Sequence, residues 1–366
     1  MVPMLIAAGI SLAVSLLGTR YLIDWLREHR MGQPIHEDVQ GHIQKAGTPT
    51  MGGVAIVVAA ACGYALAHLH GGLLFTRSGL LVMLAIATAA MVGALDDWIK
   101  ISHERNLGLN KRAKMGGLLL VAVGFAVGTV LWTDIETTLS FTRYSEPGWD
   151  LGDVGWCVWA VLLILGTTNA VNITDGLDGL AGGVSTYAYL ALTVIAFWAF
   201  RNPDVYKVNH ALDLAVIAAA MVGAIIGFLW WNAPPAQVFM GDTGSLAIGA
   251  GLATLALTLN AQLLLPIVGA VFVFETLSVI LQIGSFQLFH RRIFRMAPVH
   301  HHFELGGWPE TTVIIRFWLM ALMATAVALG IYYADFGSTG GFDRREVCTG
   351  ETVNADPVCS TDRPGG

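Results

Sequence analysis

Four polar clusters interrupt a chain that is otherwise strongly apolar, and their side chains could bind a metal ion or phosphate groups. They are Asp96–Asp97, Asn169–Gly179 (NAVNITDGLDG), Asn232–Gly244 (NAPPAQVFMGDTG) and His300–His302. Carboxylates, amides and imidazoles are costly within hydrocarbon, so such groups in an apolar chain mark a functional site by default. Carboxylate oxygens are ligands that Mg²⁺ prefers, and a carboxylate can also act as a base. The clusters therefore predict a polar active site.

The aspartates have both functional and structural interpretations. Asp96 and Asp97 end an apolar stretch and are followed by Lys100, so they could hold a divalent metal or simply form a solvated helix end. Asp242 stands between two glycines, where it could cap the next helix or bind a metal with an open coordination shell. From the residues alone, both interpretations stay open at each place.

The second and third clusters favour function more strongly. Asn169, Asn172, Asp175 and Asp178 are spaced by three residues, so they line one face wherever the chain is helical. A loop at a membrane surface does not need four such groups within ten residues. In the third cluster, Phe239 could stack on a planar ring.

The triple histidine allows two chemistries. Imidazoles bind transition metals, but no cysteine or second histidine cluster completes a four-ligand zinc site beside it. Hydrogen bonding of His300, His301 and His302 to a phosphate or a sugar is therefore favoured. Lys45, in the turn KAGTPTMGG, could reach an anionic substrate or extend to the membrane surface.

The composition determines which elements can position these groups. Hydrophobic residues make up 55% of the 366 residues and charged residues only 13%, against about 25% charged in soluble proteins. Continuous apolar runs of about 20 residues indicate transmembrane helices and exclude a barrel. We predict an all-α polytopic membrane protein, surrounded by lipid and without a nucleic-acid partner. Its ten spans fall at about 4–25 (a retained helix), 52–70, 79–97, 115–132, 154–171, 183–200, 211–231, 244–260, 264–289 and 312–334.

Ten spans place both termini on one side of the membrane. One set of loops between spans carries eleven Lys and Arg and the other only four, and basic loops stay in the cytoplasm. We therefore expect external termini and a cytoplasmic site. We also expect an external hairpin within residues 133–153 and a poorly ordered external tail, 337–366, after a membrane domain of 1–336. Cys348 and Cys359 in this tail could form a disulfide or remain free thiols.

The motifs resemble those of a known enzyme family. The stretches that carry the resemblance are Lys45–Gly53, Asp96–Asp97, Asn169–Gly183, Asn232–Ser245, Pro298–Glu310 (PVHHHFELGGWPE) and Arg316–Trp318. In this order, over about residues 1–335, they resemble the polyprenyl-phosphate N-acetylhexosamine-1-phosphate transferase superfamily. Pro298–Glu310 points to its phospho-N-acetylmuramoyl-pentapeptide transferase branch.

The resemblance implies a complete activity. It implies transfer of phospho-N-acetylmuramoyl-pentapeptide from UDP-MurNAc-pentapeptide to undecaprenyl phosphate, which yields lipid I and UMP in peptidoglycan synthesis. It also implies Mg²⁺, a homodimer and a bacterial plasma-membrane location. Displacement at a diphosphate needs cations to offset charge, and a lipid substrate needs a groove open to the bilayer. A helix broken near Pro266, or between Gln282 and His290, could supply that groove.

The resemblance also assigns roles to single residues. It makes Asp242 the metal ligand, and Asp96 and Asp97 candidates for activating the lipid phosphate. The nucleoside pocket would consist of Lys45, Leu177, Asp178, Asn232 and Phe239. The diphosphate would lie among Asn172, Asp175, Lys111 and Lys114, and the phosphate or muramoyl end near His300, His301 and His302.

Two rival functions make different predictions. A secondary transporter would carry polar groups near the membrane midplane on repeat-related spans, whereas here they stand at span ends and no repeat is visible. A sister transferase that uses UDP-N-acetylglucosamine would carry a different histidine loop from Pro298–Glu310.

Overall fold

The fold is a bundle of helices with one small hairpin. The computed structural model describes residues 1–29, 47–72, 74–102 and 108–338. Lys45, Cys348 and Cys359 lie outside these residues, as does the predicted tail except for Gly337 and Ser338, which end the last helix. The elements are α1 (Val2–Glu28), α2 (Gly53–Gly71), α3 (Arg77–Ser102), α4 (Lys111–Trp132), β1 (Thr138–Arg143), β2 (Glu146–Asp150), α5 (Gly152–Thr174), α6 (Leu180–Arg201), α7 (Pro203–Tyr206), α8 (Ala211–Asn232), α9 (Gly241–Thr258), α10 (Leu265–Val268), α11 (Ala270–Phe289), α12 (Val299–Glu304) and α13 (Glu310–Ser338).

Within the described part of the chain, nine helices are long and apolar enough to cross a membrane. The eighth predicted span, 244–260, corresponds to α9, which is helical over 18 residues but is not among these nine helices. Every residue of α9 from Asp242 to Thr258 is buried inside the bundle. Because α9 faces other helices rather than lipid, its glycines, serine and threonines replace the large apolar side chains of lipid-facing helices.

The centre of the bundle depends on close backbone contacts around the start of α9. This helix packs against α3, α5, α2 and α6. A Cβ atom on Gly93 of α3 would lie 2.2 Å from the carbonyl oxygen of Asp242, and one on Gly53 of α2 would lie 2.0 Å from the nitrogen of Gly244. Only glycine permits these approaches, which bring α9 against the helix that carries Asp96 and Asp97.

The two ends of the bundle differ in character. Contacts between Asp97 and Asp242, between Asn172 and Asp242, and between Gly176 and His300 unite the four polar clusters at one end. The predicted hairpin is confirmed: β1 pairs antiparallel with β2, immediately before α5, whose other end carries Asn172. At this opposite end the Arg143 side chain lies 3.2 Å from the Asp335 carboxylate near the end of α13.

The ninth predicted span, 264–289, is interrupted near its start. Pro266 stands in the first turn of the short helix α10, and Gly269 separates α10 from α11. The alternative break between Gln282 and His290 is wrong, because α11 continues unbroken to Phe289 and ends at His290 in a left-handed conformation. An apolar cavity of about 270 Å³ borders the break, between Trp159 and Leu163 of α5 and Phe272 of α11.

Candidate active site

Three carboxylates meet at the polar end of the bundle. Asp96 and Asp97, at the end of α3, and Asp242, at the start of α9, are all buried. One carboxylate oxygen from each of the three residues lies within 4.8 Å of the corresponding oxygens of the other two. Like charges at this distance repel each other, so the cluster requires cations close by.

Asp97 holds the first turn of α9 in place. Its carboxylate accepts hydrogen bonds from the backbone N–H of Asp242 (3.1 Å) and from the N–H and hydroxyl of Thr243 (3.0 and 2.7 Å). These bonds satisfy backbone donors that a helix start leaves free. The preceding Gly241 has φ +72°, and a Cβ atom there would meet the Asp97 carboxylate at 2.5 Å. The capping role considered for Asp242 therefore belongs to Asp97.

Two lysines supply the cations. The Lys100 ammonium lies 2.7 Å from Asp96 Oδ2, 2.7 Å from Asp242 Oδ2 and 3.7 Å from Asp97 Oδ1. Lys114 Nζ lies 2.7 Å from the same Asp242 oxygen. Sequence reasoning noted Lys100 beside Asp96–Asp97 but did not include it in the site. Its i,i+4 spacing from Asp96 was the available signal.

The second oxygen of Asp242 belongs to a separate hydrogen-bond network. Asn172 Nδ2 donates to Asp242 Oδ1 at 2.6 Å and to Ser245 Oγ at 2.9 Å. Asn172 comes from the last turn of α5, so three helices position one carboxylate.

A polar cavity of about 280 Å³ opens beside these groups. Its lining includes eight of the residues predicted from the sequence: Asp97, Asn172, Asp175, Leu177, Asp178, Asn232, Phe239 and Asp242. Burial, together with the nearby negative charges of Asp242 and Asp97, raises the pKa of Asp175 to about 8. The cavity thus concentrates negative potential and suits a cationic or metal-bound ligand.

Hydrogen bonds fix the walls of the cavity. The backbone N–H of Phe239 donates to Pro49 O, and Gly52 N–H donates to Phe239 O, at 2.8 and 2.9 Å. Asn232 accepts from Gly179 N–H at 3.0 Å and donates to Val238 O at 2.9 Å. The half-buried ring of Phe239 is therefore held at the cavity wall by its own backbone.

Asp178 is also hydrogen-bonded to other residues at the cavity wall. Its Oδ2 accepts from Ala236 N–H at 3.0 Å, and its own N–H donates to the Glu310 carboxylate at 3.2 Å. These contacts join the second and third polar clusters to the start of α13, although the three lie in separate segments of the sequence.

The three histidines have different partners. His300 is fully buried, and its Nδ1 lies 3.0 Å from Glu275 Oε2 of α11. His301 Nδ1 lies 2.7 Å from Glu304 Oε2, and His302 Nδ1 accepts from Arg295 N–H. The three imidazoles therefore have three different partners.

Not every predicted residue joins the cluster. Lys111, at the first position of α4, is exposed, whereas Lys114 one turn later reaches Asp242. Glu275 was not predicted at all, because a lone carboxylate inside an apolar span carries no motif.

Comparisons with known proteins agree with this geometry. The profile of glycosyl transferase family 4 matches residues 79–260, and the phospho-N-acetylmuramoyl-pentapeptide-transferase signature 1 matches residues 45–57. The chain is 48% identical to the phospho-N-acetylmuramoyl-pentapeptide-transferase of Frankia alni, over 92% of this chain and 98% of that protein. The corresponding enzyme of Saccharopolyspora erythraea is 48% identical over 92% and 98% of the two chains, and that of Streptomyces griseus 46% over 91% and 98%. With its matching motifs gathered at one cleft, the chain belongs to the phospho-N-acetylmuramoyl-pentapeptide-transferase family of membrane enzymes.

Proposed function

We propose that the protein transfers phospho-MurNAc-pentapeptide from UDP-MurNAc-pentapeptide to undecaprenyl phosphate and releases UMP. The product, lipid I, is a peptidoglycan precursor. The observation that supports this reaction most directly is the meeting of three carboxylates and two lysines at the mouth of a polar cavity. A diphosphate displacement needs charge stabilisation and positioning more than covalent chemistry, and this arrangement can supply both.

The donor set fits Mg²⁺. Magnesium prefers carboxylate oxygens together with substrate phosphates, and three carboxylates lie within 4.8 Å of one another. Asp242 is the best ligand, because its oxygens face Lys100, Lys114 and Asn172 rather than serving as a helix cap. A bound Mg²⁺ would offset the negative charge of the diphosphate during transfer.

The carboxylates of α3 divide the remaining work. Asp97 positions Asp242 through the backbone of α9. Asp96 accepts from Leu109 N–H and contacts Lys100, and it is the candidate base that keeps the attacking lipid phosphate deprotonated. An oxygen of that phosphate attacks the phosphorus attached to the sugar. The bond to the UMP oxygen breaks, and both electrons leave with UMP.

The remaining residues bind the substrate. In this proposal Phe239 stacks on uracil beside Leu177, Asp178 and Asn232, and Asn172 and Asp175 face the diphosphate. Lys114, which reaches Asp242, would also contact the diphosphate. Lys45 and Lys111 stay predicted substrate contacts from the sequence alone. His300, His301 and His302 face the phosphate or muramoyl end. The apolar cavity next to the break at Gly269 offers the lipid chain a place beside α5 and α11.

Assembly and orientation belong to the same proposal. The cleft faces the cytoplasm, the far end with the hairpin faces outward, and the enzyme works as a homodimer in the bacterial plasma membrane. The excess of basic residues in the loops at the cleft end supports this orientation.

One assay tests the substrate assignment. Detergent-solubilised protein is incubated with Mg²⁺, a polyprenyl phosphate, and either UDP-MurNAc-pentapeptide or UDP-N-acetylglucosamine, and UMP is measured. We expect release only with the muramoyl substrate, and only when both lipid and Mg²⁺ are present. Release with UDP-N-acetylglucosamine alone would instead identify the sister activity, and no lipid-dependent release would contradict the transferase.

A labelling experiment tests the orientation. A single cysteine replacing Arg292 should react with a membrane-impermeant thiol reagent only from the cytoplasm, and one replacing Arg143 only from outside. Labelling of both cysteines from the same side would refute the proposed orientation.

A further inference from the structure

One buried carboxylate stands apart from the cleft described above. Glu275 lies in the first turns of α11, and its side chain has no exposed surface. Its Oε2 lies 3.0 Å from Nδ1 of His300, whose side chain is equally inaccessible. The pair links a helix of the bundle to the short helix α12.

His300 is the carboxylate's main partner. Among the residues that the structure describes, no group meets hydrogen-bond geometry with either oxygen of Glu275, so the 3.0 Å approach of His300 Nδ1 is its recorded polar contact. Ser278 Oγ donates to the backbone oxygen of Glu275, not to its carboxylate. An unpaired carboxylate inside an apolar bundle is strongly unfavourable, so Glu275 and His300 depend on each other.

The second ring nitrogen of His300, Nε2, lies on the side of the cleft. A Cβ atom on Gly176 would lie 2.4 Å from His300 Nε2. Gly176 lines the polar cavity between Asp175 and Leu177. Among the described residues, Nε2 has no hydrogen-bonding partner. The ring is therefore held between a buried carboxylate at Nδ1 and the cavity loop at Nε2.

We infer that Glu275 is a positioning residue that pairs with Nδ1 of His300 and thereby holds Nε2 against the Gly176 loop, which lines the cavity for the donor substrate. Fixing one ring nitrogen selects the tautomer and the orientation of the other. Nε2 then supports, from behind, the loop that faces a nucleotide-linked sugar in the cavity. This assignment rests on the proposed transferase function.

Two substitutions separate positioning from packing. Glu275→Leu replaces the carboxylate with an apolar side chain of similar size and so removes the acceptor. Glu275→Gln keeps an acceptor oxygen and removes the charge. We expect Glu275→Leu to lower kcat by about 10- to 100-fold, as losing an orienting partner of a working histidine does, with KM changed less than about threefold. Glu275→Gln should recover at least half of this loss on a logarithmic scale.

A double-mutant comparison gives the decisive readout. If Glu275 acts through His300, the double variant Glu275→Leu with His300→Ala should be no slower than His300→Ala alone. Ser278→Ala, one turn along α11, is the matched control and should keep kcat within about twofold. Melting temperature and the fraction of monodisperse protein are measured for every variant.

The outcomes distinguish the inference from the proposed function. If the wild-type protein shows no lipid-dependent UMP release, the transferase proposal fails before any variant is compared. If the wild type is active but Glu275→Leu keeps kcat within threefold, or the two substitutions multiply their effects, the positioning role is refuted. Loss of activity that only follows loss of folded protein would likewise refute it, and would leave Glu275 as a tie between helices.

Discussion

Buried carboxylates occur at both ends of this bundle, but they are arranged in opposite ways. At the cleft, Asp96, Asp97 and Asp242 crowd together and share two lysines beside an open cavity. At the far end, Asp213 of α8 is a single buried carboxylate that gathers its donors from neighbouring segments.

The far cluster consists of Asp213, His68, Tyr64 and Thr76. Asp213 Oδ2 accepts from Thr76 N–H at 3.0 Å and from the Tyr64 hydroxyl at 3.2 Å, and also contacts the Thr76 hydroxyl. Its Oδ1 lies 3.0 Å from His68 Nε2. His68 stands 15 residues after Gly53 along α2, roughly 22 Å from the cleft end at the rise of an α-helix.

The difference shows how structure separates function from stability. One carboxylate surrounded by matching donors has little capacity for a ligand, so it ties α2, α3 and α8 together. Three carboxylates around two cations retain negative charge that a metal or a positively charged group can still neutralise. Surplus charge next to a cavity, rather than burial alone, marks the active end.

The largest effect should come from Asp242→Ala. We expect transfer to fall by about three to four orders of magnitude, since losing the best metal ligand should raise the barrier by several kcal/mol. The protein should still fold with a modestly lower melting temperature, because Lys100 keeps Asp96 as a partner whereas Lys114 loses its carboxylate. UMP release and a thermal melt on the same preparation check both parts, and activity within tenfold of wild type would exclude a metal role.

The reciprocal substitution, Asp213→Ala, should affect stability instead. It leaves His68, Tyr64 and Thr76 without their shared acceptor, which we expect to destabilise the fold by about 3 kcal/mol. Turnover per folded molecule should stay within about twofold. Thermal melts in detergent, paired with activity normalised to the monodisperse fraction, measure the two quantities. A specific loss of kcat with unchanged stability would break the contrast between the two ends.

Phe239→Ala tests whether this ring stacks on the nucleotide base in the cleft. Stacking on a base is worth roughly 1–3 kcal/mol, or about 5- to 150-fold in affinity, and uracil does not react. We therefore expect a higher KM for the nucleotide substrate and a nearly unchanged kcat. The measurement is a titration of that substrate at saturating lipid and at two Mg²⁺ concentrations. A kcat defect with altered Mg²⁺ demand would mean that Phe239 supports Asp242 through packing.

The sequence predicts one side of this contrast, the cleft, but not the cluster around Asp213. Polar motifs in an apolar chain predicted the cleft, and eight predicted residues line one cavity. The sequence did not reveal that Asp97 caps α9, because that role depends on which backbone lies 3 Å away in space. Nor did it single out Asp213 or Glu275, since an isolated acid in an apolar run carries no spacing signal.

The fold was predictable to a similar degree. Hydrophobic length identified the long helices, and alternating polar and apolar residues around Glu146–Pro147–Gly148 identified the hairpin. The end of α11 was less predictable, because the break proposed after Gln282 does not exist. The weak apolarity of α9 follows from complete burial among other helices, which is a property of packing and not of the segment itself.

The smallest expected effect, counted per pH unit, concerns Asp175 and the pH dependence of stability. Burial and the charges of Asp242 and Asp97 raise its pKa from 3.8 to about 8 in the folded protein. The folded state therefore holds a proton that the unfolded chain releases above about pH 4. The stabilisation is complete below the unfolded pKa and is lost as pH rises through about 8, with a slope of at most about 1.4 kcal/mol per pH unit.

In EDTA, the wild-type melting temperature should thus fall between pH 5 and 8.5 more steeply than that of Asp175→Asn, whose amide cannot ionise. Subtracting the two curves removes the contribution of other titrating groups. Mg²⁺ should reduce the difference, because a cation among the carboxylates lowers the cost of ionising Asp175. Parallel curves in EDTA would mean that the cleft does not carry the surplus negative charge that distinguishes it from the Asp213 cluster.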